Sequence, residues 1–415
     1  MQGRRPFAGH GRRAPLAVLL MVAVCIVLLP ERASAMALPS INLNAYCQQT
    51  HGSSAYEVLV QFNAYGWKCR LNGVDYNMSL DAACRQQHVD GDSASFLDFN
   101  NPYSWFCVLR APYTSFIGNS YSLYAWKGRS VALRTPDTTT CPASTLMNII
   151  DAIDGGYDFY LNATGRAPTP HFLYQGLNSL AAMPSGVYTG CGAGGSACGF
   201  FGHTGVEFLQ STFSTICNAA FYSNQYEQTP FYELGRNFWF YGSKIEYVGT
   251  DNTGSITTGY AVAMRFLAMD HAGVSASGAP INGYPFHTFR LAVQGLVDAY
   301  RFNPGLTWSN TLRAGQAPPN NHGLGGTDFF ASFVLRLHRV HGSDFINRLW
   351  RRVGAATDAA TTQDAVDNFV LAASEAAGVN LHDLFRYTWR WPVSPWVQSY
   401  LQGTYGYPVS SQPYL

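Results

Sequence analysis

Charge is the first thing this chain has little of. Asp, Glu, Lys and Arg together make up 12% of its 415 residues, and the formal net charge is +1. There is no basic run with interleaved aromatics, so nucleic-acid binding is set aside. No Cys-x-x-Cys occurs, which excludes thiolate zinc fingers and thioredoxin-like redox motifs. No Gly-x-Ser-x-Gly occurs, so there is no nucleophile elbow. The Gly-rich run 190–205 is followed by no lysine placed to hold phosphate. Beyond Leu29 there is no long apolar run, so no membrane span is expected once the leader is removed.

The leader itself is clear. Arg4, Arg5, Arg12 and Arg13 precede the apolar stretch Leu16 to Leu29, and Ala33, Ser34 and Ala35 supply small residues for cleavage. Residues 1–35 therefore read as a signal peptide and the mature protein as secreted. Of the nine cysteines, Cys25 falls in the leader. The others are Cys47, Cys69, Cys84, Cys107, Cys141, Cys191, Cys198 and Cys217, an even set that reads as disulfides in an exported chain. Cys191 and Cys198 bracket the Gly-rich run as a local loop, which leaves Cys141 and Cys217 for a longer bridge; the pairing of the first four stays open.

The chain is organised around Thr229 to Tyr241. Thr229 is a candidate N-cap, and Pro230 suits the first helical position, where no N–H is needed. Phe231, Leu234 and Phe238 recur at helical spacing. Tyr232 and Arg236, four apart, share a face with Glu233 beside them. This resembles the His-Glu-x-x-His helix of the zincin metallopeptidases with both histidines replaced. In the intact motif two imidazoles hold Zn²⁺ and the Glu activates water. Arg236 has no lone pair to offer a metal and the neutral phenol of Tyr232 is a poor ligand, so no metal and no cofactor is expected. The plain alternative is a structural helix with an ordinary Glu233–Arg236 pair.

The surroundings extend the resemblance over roughly residues 128–400. Gly128 to Arg134 reads as a strand, Ser144 to Asn162 as a helix capped by Ser144, His171 to Tyr174 as a strand and Gly205 to Phe213 as an edge strand, followed by the central helix. That is the order of the zincin catalytic half. A second helix runs from Ile256 to about Ala272. In the gluzincin branch such a helix supplies a third ligand, a Glu, about two dozen residues after the second His. Here that place holds Thr257 or Thr258, followed by Gly259 and Tyr260. The resemblance thus marks Tyr232, Arg236, Thr258 and Tyr260 as a relic site, with Glu233 as the remaining candidate catalytic residue. Helices over 327–341, 343–353, 362–377 and 381–389, with Thr327, Ser343 and Thr362 as caps, look like the helical subdomain of gluzincin-like enzymes, including the mucin-degrading, enhancin-like group. His338 and His341 read as helix-end histidines beside Arg336 and Arg339 rather than as ligands.

Residues 37–112 carry four cysteines and resemble a small four-cysteine module of multidomain secreted bacterial proteins. Val58 to Phe62 reads as a strand or buried helix end, and Asp81 to Gln87 as a helix capped by Ser79 or Asp81. Trp67, Tyr103 and Trp105 are candidates for stacking on sugar rings, with core packing as the competing role.

The expected fold class is α+β. A zincin-like mixed-sheet lobe with a central helix runs to about residue 245, a helical lobe follows, and a small disulfide-rich domain precedes both. Three functional readings stand: a zincin-like protein without zinc that binds extracellular glycan or protein; a metal-independent hydrolase using Glu233, with Arg236 holding its carboxylate ionised; and a structural surface protein.

Overall fold

Residues 38–415 are described in a computed structural model; the signal-peptide reading falls on residues outside that range. The first part of the chain holds α1 (Leu43–His51), β1 (Tyr56–Leu59), β2 (Trp67–Leu71), β3 (Val74–Asn77) and α2 (Leu80–Gln87). The strands β1, β2 and β3 form a small antiparallel sheet. Ser79 caps α2, its side chain accepting from the Ala82 N–H. Then come β4 (Gly91–Phe96), β5 (Trp105–Thr114), β6 (Ser120–Lys127), β7 (Val131–Thr135), α3 (Ala143–Thr164), β8 (Leu173–Tyr174), β9 (Leu177–Ala182), β10 (Ala197–Gly199) and β11 (Val206–Phe208).

These strands make one eight-stranded mixed sheet in the order β10-β11-β9-β7-β6-β5-β4, with β8 paired to β9. The pairs β11–β9 and β9–β7 are parallel and the others antiparallel. The sheet thus takes β4 and most of β5 from the stretch before residue 113, and β5 runs across that position. The described residues, 38–415, all fall in one unit.

The helices follow as α4 (Gln210–Ser223), α5 (Thr229–Asn237), α6 (Gly242–Ile245), α7 (Ser255–Ala272), the short hairpin β12 (Pro280–Ile281) and β13 (Tyr284–Pro285), α8 (Phe286–Phe302), α9 (Gly326–His341), α10 (Ser343–Ala355), α11 (Thr362–Ala377) and α12 (Pro395–Tyr405). The architecture is α+β. One apolar core runs from the sheet through α3, α5 and α7 into the later helices. Gly156 of α3 admits Phe231 of α5, and Gly235 of α5 lets Tyr160 and Ala261 close in. A Cβ on Gly235 would sit 2.9 Å from Tyr160 Oη and 3.3 Å from Ala261 Cα. Disulfides join Cys47 to Cys69, Cys84 to Cys107, Cys141 to Cys217 and Cys191 to Cys198. Among the described residues, no helix is long and apolar enough to cross a membrane.

Several local expectations are corrected. The strand expected over Gly205 to Phe213 ends at Phe208 and lies inside the sheet, with β10 at the edge. Phe213, Ile216 and Cys217 are instead buried at helical spacing on α4, where Cys217 bonds to Cys141. The central helix stops at Asn237. At its cap position Gln228 makes no side-chain capping bond to a helix N–H, and Glu227 accepts from the Thr229 N–H at 2.6 Å. Ser144, Thr327, Ser343 and Thr362 lie inside their helices, and the caps fall on Pro142, Gly325, Gly342 and Thr361. The helix expected over Leu381 to Trp389 is present but winds more widely, as a π-helix over Leu384–Thr388, and the Trp389 and Trp391 rings that follow are buried.

Candidate functional site

The second half of α5 faces the edge strand β10. Gly199 is the point of contact: a Cβ there would lie 2.3 Å from the Glu233 carbonyl oxygen, so only glycine lets strand and helix approach this closely. The Gly199 N–H donates to Glu233 Oε2 at 2.7 Å. Arg236 Nε lies 3.2 Å from the same oxygen, an ion pair outside hydrogen-bond geometry. Its Nη2 donates to Tyr232 Oη at 3.0 Å. The guanidinium carbon sits 5.1 Å from the ring centres of both Tyr232 and Phe201. The next loop follows the helix end: Gly202 N–H donates to the Arg236 carbonyl, and Asn237 Nδ2 donates to the carbonyls of Phe200 and Gly205.

Burial dominates the electrostatics. Glu233 is 5% exposed, and desolvation pushes its carboxyl above the usual range against the pull of Arg236 and the Gly199 N–H. Arg236 and the Gly199 N–H offset only part of that desolvation. Burial also raises the Tyr232 phenol. Behind Tyr232 lies Arg265 of α7, buried, its charge disfavoured by desolvation; its Nη1 donates to Gln228 Oε1 at 2.5 Å and its guanidinium lies 5.2 Å from the Tyr232 ring centre.

Tyr232, Glu233 and Arg236 are thus brought together. Thr258 is half-buried in the first turn of α7, where its N–H closes onto the Gly254 carbonyl. Tyr260 is placed elsewhere, fully buried among Trp239, Tyr241 and Trp350, with its hydroxyl on the Phe238 carbonyl. Gly199, Phe201, Gln228 and Arg265 complete the group and were not anticipated. Arg265 carried a readable signal: it is a lone charge in the otherwise apolar run Gly259 to Ala268, and a buried charge needs partners.

No protein-family model matches this chain, and no curated protein matches it significantly. Solved structures do. A functionally unknown conserved protein from Bacillus anthracis str. Ames matches with a TM-score of 0.46 at 11% identity, over 71% of this chain and 54% of that one. The M60 catalytic domain from Clostridium perfringens ZmpC, solved in complex with the sialyl T antigen, matches with a TM-score of 0.42 at 13% identity, over 70% of this chain and 50% of that one. The chain spans about half the length of the structures it matches. Shared chemistry does not follow from likeness at this level.

The donor set at α5 does not fit zinc. Arg236 is a guanidinium with no lone pair to give a metal and is paired with Glu233, and the Tyr232 phenol oxygen accepts from that same guanidinium. Among the described residues, no three His, Cys, Asp or Glu side chains gather as a metal site needs.

The aromatic candidates of the first stretch form a second group. Trp67 Nε1 donates to the Pro102 carbonyl at 2.7 Å and Trp105 Nε1 donates to the Ala64 carbonyl, so both indole N–H groups face inward. Tyr103 is 69% exposed and meets the Trp67 ring edge-on at 5.5 Å. Trp105 packs on Phe96 at 5.0 Å and Tyr65 at 5.7 Å, and Tyr65 in turn meets Phe99. Tyr65, Phe96 and Phe99 were not among the sequence candidates; Tyr65 and Phe99 are both exposed.

Proposed function

We propose that this is a secreted, zincin-like protein that binds extracellular glycan through the aromatic face built on Trp67, Tyr103 and Trp105, without metallopeptidase catalysis. The observation that carries it is the exposure of Tyr103 and Tyr65 on rings whose indole partners are fixed by hydrogen bonds to backbone. Rigid aromatic surfaces present C–H-rich sugar faces with a stacking partner at little entropic cost. Export is supported by the leader and by four disulfides in the described residues. Loss of metal chemistry is supported by Arg236 at the former ligand position, where Glu233 serves as a fastener between α5 and β10.

The test is a glycan array probed with the intact mature chain, followed by calorimetry on any sugar found. Tyr103→Ala and Tyr65→Ala remove exposed rings and should weaken binding about tenfold each, in line with a stacking contact of about 1–1.5 kcal/mol, with the unfolding midpoint unchanged. An array with no bound glycan, or binding indifferent to both substitutions, removes this reading.

A further inference from the structure

A groove of about 390 Å³ is floored by Leu267 of α7 and Leu335 of α9 and walled by α8 and α9, and no residue of α5 lines it. Its volume falls within the range of small-molecule sites. One reason the space exists is Gly295. This residue sits in the middle of α8, where glycine weakens a helix, and a Cβ placed on it would meet nothing within 4 Å. Packing does not call for glycine there, and the missing side chain leaves the groove open.

The polar lining is mostly cationic. Arg290, Arg336 and Arg339 face the groove, and Asp298 is the acid among the lining residues. Arg336 is 5% exposed and is held by Asp298 at 2.5 Å and by the Tyr414 carbonyl at 2.9 Å. Asp298 is shared with Arg301 at 3.6 Å. Arg290 is engaged by Asp270 through both terminal nitrogens. Arg339 is exposed and donates from Nη2 to a Leu415 main-chain oxygen at 2.9 Å, and among the described residues no Asp or Glu side chain pairs with it. Burial lowers the pKa of His338, so this lining residue adds little positive charge at neutral pH.

We infer that this groove is a binding site for a compact organic anion, its apolar body on Leu267 and Leu335 over Gly295 and its carboxylate, sulfonate or phosphate group at Arg339. Guanidinium matches such oxyanions with paired N–H donors, and an apolar floor beside the charge strengthens that contact.

The probe is 8-anilino-1-naphthalenesulfonate on the intact mature chain, with uncharged N-phenyl-1-naphthylamine as the same body without the anion. The expected result is one saturable site for the sulfonate, weaker binding of the neutral amine, and loss of affinity as salt is raised. Arg339→Gln removes one charge-assisted contact and should weaken the sulfonate about tenfold. Gly295→Leu sets a Cβ where it meets nothing within 4 Å and extends side-chain bulk from the groove wall, and it should abolish the site while the unfolding midpoint holds or rises. Tyr103→Ala, on the aromatic face, should leave the probe unaffected, so failure here and failure of the glycan reading are separable. Sulfonate binding indifferent to both Arg339→Gln and Gly295→Leu, or equal binding of the neutral amine, overturns the inference.

Discussion

The junction of α5 with β10 can be tested by separating the charge of Glu233 from its capacity to accept a hydrogen bond. Glu233→Gln keeps an oxygen for the Gly199 N–H and removes the charge; Glu233→Leu keeps bulk and removes both. In the leucine variant a buried N–H loses its acceptor, a loss of about 1–3 kcal/mol, and at about 2 kcal/mol the midpoint of a chain this size falls by about 2–3 °C. In the glutamine variant Arg236 loses its anion but keeps Tyr232 Oη and the Phe201 ring, and its side chain is 23% exposed. Because desolvation already outweighs that pair on the Glu233 side, the expected cost is under about 1 kcal/mol at neutral pH. The folded pKa of Glu233 is raised above its ordinary 4.5. A raised folded pKa contributes stability that is complete below the unfolded value and is lost as pH rises through the folded one. Wild type should therefore lose ground against Glu233→Gln as pH climbs from about 4.5 toward neutrality. Urea unfolding of the three proteins across that window is the assay. Equal destabilisation by glutamine and leucine, or a gap between wild type and Glu233→Gln that widens with pH, would refute the reasoning.

Three further outcomes are expected. Elemental analysis of the purified mature protein should return less than about one-tenth of an equivalent of zinc, since ligands must be assembled for the metal to stay bound. Replacing Cys141 and Cys217 by alanine opens a bridge of sequence separation 76 and should cost about 4.5 kcal/mol by the chain-entropy account, read in denaturant unfolding. Gly235→Ala drives a methyl against Tyr160 Oη and Ala261, and this overpacking of about 1–3 kcal/mol should exceed the gain of about 1 kcal/mol in helix propensity, giving a net loss in midpoint.

What could be read from sequence follows the strength of local pattern. Helices α7, α9, α10 and α11 carry apolar residues at helical spacing over long stretches, and each lies where the spacing puts it. The segment that became α4 was hidden because it is rich in Ser and Thr, which have little helical preference; burial of Phe213 and Ile216 and the Cys141 bridge override that. Helix α8 was missed although Phe286, Phe289, Val293, Leu296, Val297 and Tyr300 line its buried face. At the site, the Glu233–Arg236 pair is local to one helix and legible from spacing alone. Gly199 and Phe201 come from a different strand and loop, so their approach to α5 is set by sheet order, which no local spacing encodes. The inward indole N–H bonds of Trp67 and Trp105, by contrast, depend on the carbonyls of Pro102 and Ala64 across the first part of the chain.

The path of β5 has a practical consequence. It pairs with β4 on one side and β6 on the other. A fragment ended at residue 112 would sever this strand before Thr114 and keep its ladder groups without the β6 partner, while the remainder would present β6 as a bare border to solvent. Both pieces would then offer open backbone donors and acceptors to other copies, and self-association, not sugar, would dominate what such fragments bind. Shorter versions of this protein should therefore be cut elsewhere, or not at all.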